Sequence, residues 1–133
     1  MGKIIALRGR AVSGKTTTIH LLPAILIAHG HRHVSGAIPP DVDFSAIFEN
    51  GKFKVGVTSI GDTYEDIHDA LTHFVNAGCE VCICACRTWG RTVAAVNCFS
   101  THPVQYVPKT IVSAPAHEAA ANAADANTIF GLI

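Results

Sequence analysis

The segment Gly9-Arg-Ala-Val-Ser-Gly14-Lys15-Thr16 constrains this chain more than any other feature. Its spacing is G-x-x-x-x-G-K-[ST], and its place in the chain matters as much as its letters. Before it lies Lys3–Arg8, a short β-branched and apolar run that reads as a strand. From Gly14 to about His29 the chain reads as a helix. The glycines let backbone N–H groups turn inward around an anion, and the following helix directs its positive end to the same point. Strand, glycine loop and buried helix in that order open an alternating pattern, so the chain is expected to be α/β with a mainly parallel sheet.

The remaining residues continue the alternation. The helix from Gly14 is apolar nearly all round (Ile19, Leu21, Leu22, Ile25, Leu26), as expected for one covered on several sides. Pro23 predicts a kink or break in it, and Gly30 is placed to end it. His33–Pro40 reads as a loop. Val42–Phe48 and Phe53–Ser59 read as strands joined at Asn50-Gly51, a strong hairpin signal that adds an antiparallel edge strand. Tyr64 to about Asn76 predicts a helix with Ile67, Leu71, Phe74 and Val75 on one face, ended by Gly78. Glu80–Cys86 reads as a buried strand and Thr92–Phe99 as a short helix. Val104–Val107 begins a strand that extends to Val112 if it crosses Pro108, and Ala116–Ile129 reads as an alanine-rich helix. The length, 133 residues, suits a single domain over 1–133.

Charge and hydropathy exclude some classes. Lys+Arg and Asp+Glu are 10 each, so the formal charge is zero. A dedicated nucleic-acid binder needs a basic excess, so nucleic acid is not indicated as a partner. Charged residues make up 15% and hydrophobic ones 49%, which argues against disorder. A surface so poor in charge points to a face covered by a partner, with a homodimer or higher state expected. The apolar run Leu21–Ala28 is too short to span a bilayer and contains Pro23. The N-terminal run lacks the apolar core of a signal peptide, and five cysteines, an odd number, suit a reducing compartment. A cytoplasmic protein without membrane contact is the expectation.

Through residues 3 to about 29 the chain resembles the P-loop NTPase superfamily. The stretch VGVTSIGD, followed by a helix and VCICACRTWGR, also looks like small ATP-binding proteins of bacteria and phages. The end of the first helix and Gly30-His31-Arg32 are loosely similar to the nucleotide-binding adapters of molybdenum-cofactor assembly. The resemblance implies a three-layer fold that binds ATP or GTP with Mg²⁺. Its binding residues would be Gly9, Arg10, Ala11, Val12, Ser13, Gly14, Lys15, Thr16 and Thr17. Lys15 would reach the β- and γ-phosphates and the Thr16 hydroxyl would ligate Mg²⁺. No [NT]-K-x-D element follows the fifth strand region, a departure from the regulatory GTPases that favours ATP.

An acid is also needed to hold Mg²⁺ through water. The strand 80–86 ends in Ala85-Cys86-Arg87 and offers none, whereas 53–59 leads into Ile60-Gly61-Asp62. Asp62 is therefore the first candidate, against an ordinary role as a helix N-cap. Asp41 and Asp43, in the loop after the first helix, are the runners-up. Arg87 and Arg91 begin where the cysteine strand ends, and their R-x-x-x-R spacing resembles the lid arginines of P-loop kinases. As catalytic candidates with Lys15 they would clamp a transferring phosphoryl group, with Gly90 as a hinge; two solvated arginines are the plainer reading.

Other conspicuous residues read as structural. Cys82, Cys84 and Cys86 alternate on one strand face, where free thiols behave as small hydrophobes. His29, His31 and His33 fit a polar loop better than a metal site. Asp62, Glu65, Asp66 and Asp69 form a helical stripe typical of a solvated face. Trp89 either stacks on a base or packs. Two functions remain open: an enzyme that hydrolyses the triphosphate or passes on its γ-phosphoryl group, and an adapter whose nucleotide state a partner protein reads.

Overall fold

A computed structural model describes residues 2–10, 13–40 and 42–133. Ala11, Val12 and Asp41, named above as candidates, lie outside them. The first strand, β1 (Lys3–Arg8), has the span its β-branched run predicts. The helix expected after it is broken. α1 (Lys15–His20) and α2 (Leu22–Ala28) meet at Leu21, and Pro23 occupies the first turn of α2, where its missing N–H costs nothing. Gly30 then closes α2 with a left-handed turn in which Gly30 N–H donates to Ile27 O (3.2 Å) and His31 N–H to Leu26 O (3.0 Å).

Several expectations need correction in the rest of the chain. Arg32–Ser35, read largely as loop, forms β2, because β3 (Ser45–Asn50) offers it an antiparallel partner. β3 starts at Ser45 rather than Val42. The hairpin at Asn50-Gly51 joins β3 to β4 (Phe53–Thr58) as expected, so the antiparallel part of the sheet holds β2 as well as that hairpin. α3 (Tyr64–Asn76) follows, then β5 (Val81–Cys86), α4 (Arg91–Val96) and β6 (Val104–Pro108). β6 does not reach Val112. Its pairing with β1 ends at Arg8↔Pro108, and the chain turns away after Lys109 N–H donates to Arg8 O (2.8 Å). A 3₁₀ turn over Pro115–His117 precedes α5 (Glu118–Gly131), which starts later than Ala116.

The strand order is β2-β3-β4-β5-β1-β6, with β4–β5, β5–β1 and β1–β6 parallel. Helices cover both faces. Ile5, Leu7, Val57, Ile83 and Ala85 pack against Ile19, Leu22 and Leu26 of α1–α2 and Ile129 of α5. Ile4, Ala6, Cys82, Cys84 and Cys86 pack against Ile67, Leu71 and Phe74 of α3 and Ala95 and Val96 of α4. The result is three layers, α/β/α, and the cysteine stripe is core, as its alternation predicts. Gly56 is what lets α3 approach, since a Cβ there would fall against the ring of Phe74. Among the described residues no helix is long and apolar enough to cross a membrane.

Candidate functional site

Parallel pairing puts the carboxyl ends of β4, β5, β1 and β6 along one edge of the sheet. The chain leaves β1 through α1–α2 on one face and leaves β5 through α4 on the other. A crevice forms between neighbouring strands whose connections diverge in this way, here beyond Arg8 and Cys86. Gly9 crosses that point, its N–H donating to Cys86 O (3.1 Å).

The loop that begins there is shaped by its glycines. Gly14, the residue before α1, has φ +91°, a left-handed conformation that a side chain would oppose. A Cβ on Gly9 would lie 2.9 Å from both Ser13 Oγ and Lys109 Cβ, and one on Gly14 would lie 3.0 Å from Asn122 Oδ1. The loop therefore rests on β6's continuation and on α5. The single Thr18 Oγ1–H is shared between Gly14 O (2.8 Å) and Asn122 Oδ1 (3.2 Å), which stitches α1 to α5 beneath it. Below lies a buried ion pair: Lys109 Nζ stands 2.9 Å from Asp125 Oδ2, the two side chains only 1% and 7% exposed. Thr110 N–H and Oγ1–H complete the carboxylate's shell at 2.8 and 2.6 Å. Burial alone would raise the Asp125 pKa, but these hydrogen bonds and the Lys109 charge outweigh it and hold it below the ordinary value.

Lys15 bends back over the loop and donates to Gly9 O (2.7 Å) and Arg10 O (2.6 Å). Burial lowers its pKa foremost; Cys86 and Asp62 oppose that and Arg87 adds to it, so all three belong to its electrostatic surroundings. Lys15, Thr16, Ser13 and Asp62 line one cleft of about 80 Å³ with Ser59 and Gly61. Gly61 lies so close to β5 that a Cβ would sit 3.1 Å from Ala85, which is how the segment after β4 reaches this cleft. Ser59 lines it too, and Ser59 Oγ–H donates to Asp43 Oδ1 (3.2 Å). Of the three acids considered, Asp62 lines this cleft and Asp43 is tied to it through Ser59. Thr63, not Asp62, caps α3, its Oγ1 accepting from Asp66 N–H (3.2 Å). Ser13 Oγ is buried and has no hydrogen-bond partner among the described residues. Thr17 is exposed on α1.

The two arginines part company. Arg87 follows directly on β5, and its guanidinium comes within 4.0 Å of Asp62. Arg91 belongs to the first turn of α4 rather than to a loop; it pairs with Glu65 at 3.1 Å and lies over the Tyr64 ring. Trp89 between them is 81% exposed, so it does not pack.

The histidines and the acidic stripe take ordinary roles. His29 Nδ1 bonds Ile25 O (2.8 Å) and His33 Nε2 bonds Gly36 O (2.5 Å). Among the described residues no group of three or more His, Cys, Asp or Glu could hold a metal ion. Asp62, Glu65, Asp66 and Asp69 are all exposed.

Sequence reasoning missed Lys109, Asn122 and Asp125. The only available signal was a polar Lys-Thr pair at a strand end and an acid within an alanine-rich helix. No family model matches the chain, and no curated protein or solved structure matches it significantly.

Proposed function

We propose that the chain binds a nucleoside triphosphate with Mg²⁺, ATP in preference to GTP, and hydrolyses it or transfers its terminal phosphoryl group. The observation that carries the reading is the pose of Lys15: an ammonium folded onto two carbonyls of a glycine-framed loop at the crevice between β1 and β5. Those carbonyl oxygens stand where oxygens of a phosphate chain would compete for the same donors. The cradle fits an anion as well, since Gly9 and Gly14 leave no room for side chains and Ser13 Oγ is a buried hydroxyl with no partner among the described residues. A purine would enter the cleft of about 120 Å³ between Arg10, Lys109–Val112 and Asn122.

Thr16 and Asp62 fit a magnesium site, because they share one cleft with Lys15. Mg²⁺ bound there would neutralise charge on the triphosphate. The protein's part is positional and electrostatic: Lys15 holds the phosphates, and Arg87, next to Asp62, supplies a second cation. Asp43, tied to Ser59, is the reserve ligand.

Lys15→Ala tests the reading. Titration calorimetry with Mg·ATP should show binding by the native chain and none by the variant, with the thermal unfolding of both alike. Wild-type affinity in the variant refutes the proposal. Turnover assays separate the classes: binding without hydrolysis or transfer makes the chain a nucleotide-dependent adapter instead. Self-association belongs to the same proposal. Leu21, Ile27, Val34, Val42 and Ile111 are exposed large hydrophobes, and β2 is an edge strand. Sedimentation should give a dimer or larger at micromolar concentration, and a clean monomer refutes it.

A further inference from the structure

A second cleft, of about 500 Å³, opens beside the loop at Arg10 and runs between the start of α3 and the β5–α4 connection. Its walls carry Arg10, Arg87, Arg91, Tyr64, Trp89 and Asp62. The connection that forms one wall is pinned at three points. Arg8 Nη2 donates to Thr88 O (2.6 Å), Arg87 N–H donates to Thr92 Oγ1 (3.0 Å), and Arg91 holds Glu65 (3.1 Å). Against that anchored frame Trp89 is anomalous, since it is the chain's one tryptophan and stands almost wholly in solvent. An indole left in water forgoes the burial that usually retains it, so its face is available to a ligand.

We infer that this cleft binds a nucleoside 5′-monophosphate, with the base on Trp89 and the phosphate on Arg87 and Arg10, as the phosphoryl acceptor. The inference rests on the triphosphate reading above for its donor. Three observations choose this ligand class. A planar π surface beside guanidinium groups suits a ligand that joins an aromatic base to an anion. The cleft volume lies within the range of small-molecule sites. The chain's formal charge of zero supplies no basic excess for a polynucleotide.

Position supports the acceptor role. Asp62 lines both this cleft and the small one holding Lys15 and Thr16, so the two clefts adjoin. In the transfer, an oxygen of the monophosphate bonds to the γ-phosphorus of the triphosphate. The bond from that phosphorus to the β,γ-bridging oxygen breaks, and its electron pair leaves with the diphosphate product. Two nucleoside diphosphates result. The monoester is already largely dianionic near neutral pH, its second pKa being about 6, so no base must remove a proton. That suits a cleft whose Glu65 is occupied by Arg91.

Trp89 is its own reporter. Titrating the chain with AMP, GMP, CMP and UMP should quench its fluorescence saturably for at least one of them. Inorganic phosphate and ribose 5-phosphate should leave it unchanged. Arg87→Ala should weaken that quench about tenfold or more, and Trp89→Ala should weaken the same binding by about tenfold in calorimetry. Lys15→Ala should lose Mg·ATP binding yet keep the monophosphate quench, which separates this cleft from the triphosphate site. With Mg·ATP present, chromatography should show the bound monophosphate converted to its diphosphate, and Arg87→Ala should lower the rate. Absence of quenching by all four overturns the inference, as does equal quenching by ribose 5-phosphate. A quench lost together with ATP binding in Lys15→Ala, or given only by a single-stranded oligonucleotide, also overturns it. Binding without diphosphate formation overturns the acceptor role.

Discussion

Asp125→Ala should be the most damaging single change outside the hydrophobic core. The substitution strands Lys109, whose side chain is 1% exposed and whose ammonium rests on Asp125 at 2.9 Å and on Thr110 O at 2.9 Å. It also orphans Thr110 N–H and Oγ1–H, which donate to the same carboxylate. Removing one partner of a buried pair costs about 3–5 kcal/mol, because the remaining charge has no solvent to return to. Domains near this size lose about 4 °C of melting temperature per kcal/mol, so the variant should melt roughly 12–20 °C lower. Replacing both partners by Lys109→Met and Asp125→Leu should recover the part of that loss due to the stranded charge, since apolar packing needs no counter-charge, while Thr110 still lacks its acceptor.

Acid should narrow the difference between the two proteins. The Asp125 carboxyl is held below its ordinary value in the fold, so its contribution is present above the unfolded pKa of about 3.9 and is lost as pH falls through the folded value. The native melting temperature should drop below about pH 4 more steeply than that of the variant. Lys109 also underlies Gly9 and Gly14, so Asp125→Ala should weaken Mg·ATP binding even where the chain is still folded. Calorimetric melts at several pH values make the test. A variant melting within a few degrees of native, with the same acid limb, would refute the argument that this pair anchors β6 to α5.

Three further outcomes are expected. Gly56→Ala should destabilise the chain by roughly 1–3 kcal/mol, because the new methyl meets the buried Phe74 ring; chemical denaturation showing no change would remove Gly56 from the packing argument. In the native state only Cys98 should react quickly with a thiol reagent at pH 8. Burial pushes Cys79 and Cys86 up to about 11 and Cys82 to about 12, and raises Cys84 well above its ordinary value, so these four should react only after denaturation. Thr63→Ala should cost about 1 kcal/mol through loss of the cap on Asp66 N–H, whereas Asp62→Ala should leave stability nearly unchanged and weaken Mg²⁺-dependent binding.

What could be read in the chain itself was whatever depends on neighbours in sequence. Lys3–Arg8, the Pro23 break, the Asn50-Gly51 hairpin and α3 all rest on local preference, and all stand where that preference puts them. The cysteine stripe was legible for the same reason, because alternation alone assigns its face. Local preference failed where a distant partner decides. Arg32–Ser35 carries no apolar pattern and is a strand only because β3 pairs with it. β6 stops at Pro108 because β1 has no further residue to offer before the chain hooks onto Asp125. The candidate site shows the same division. Spacing alone singled out Gly9, Gly14, Lys15 and Thr16, since a loop's backbone is a local matter. Thr18 with Asn122, Lys109 with Asp125, and Arg10 with Trp89 are brought together by the order of strands in the sheet. Burial and solvent access, which decide what those side chains can do, exist only once that order is made.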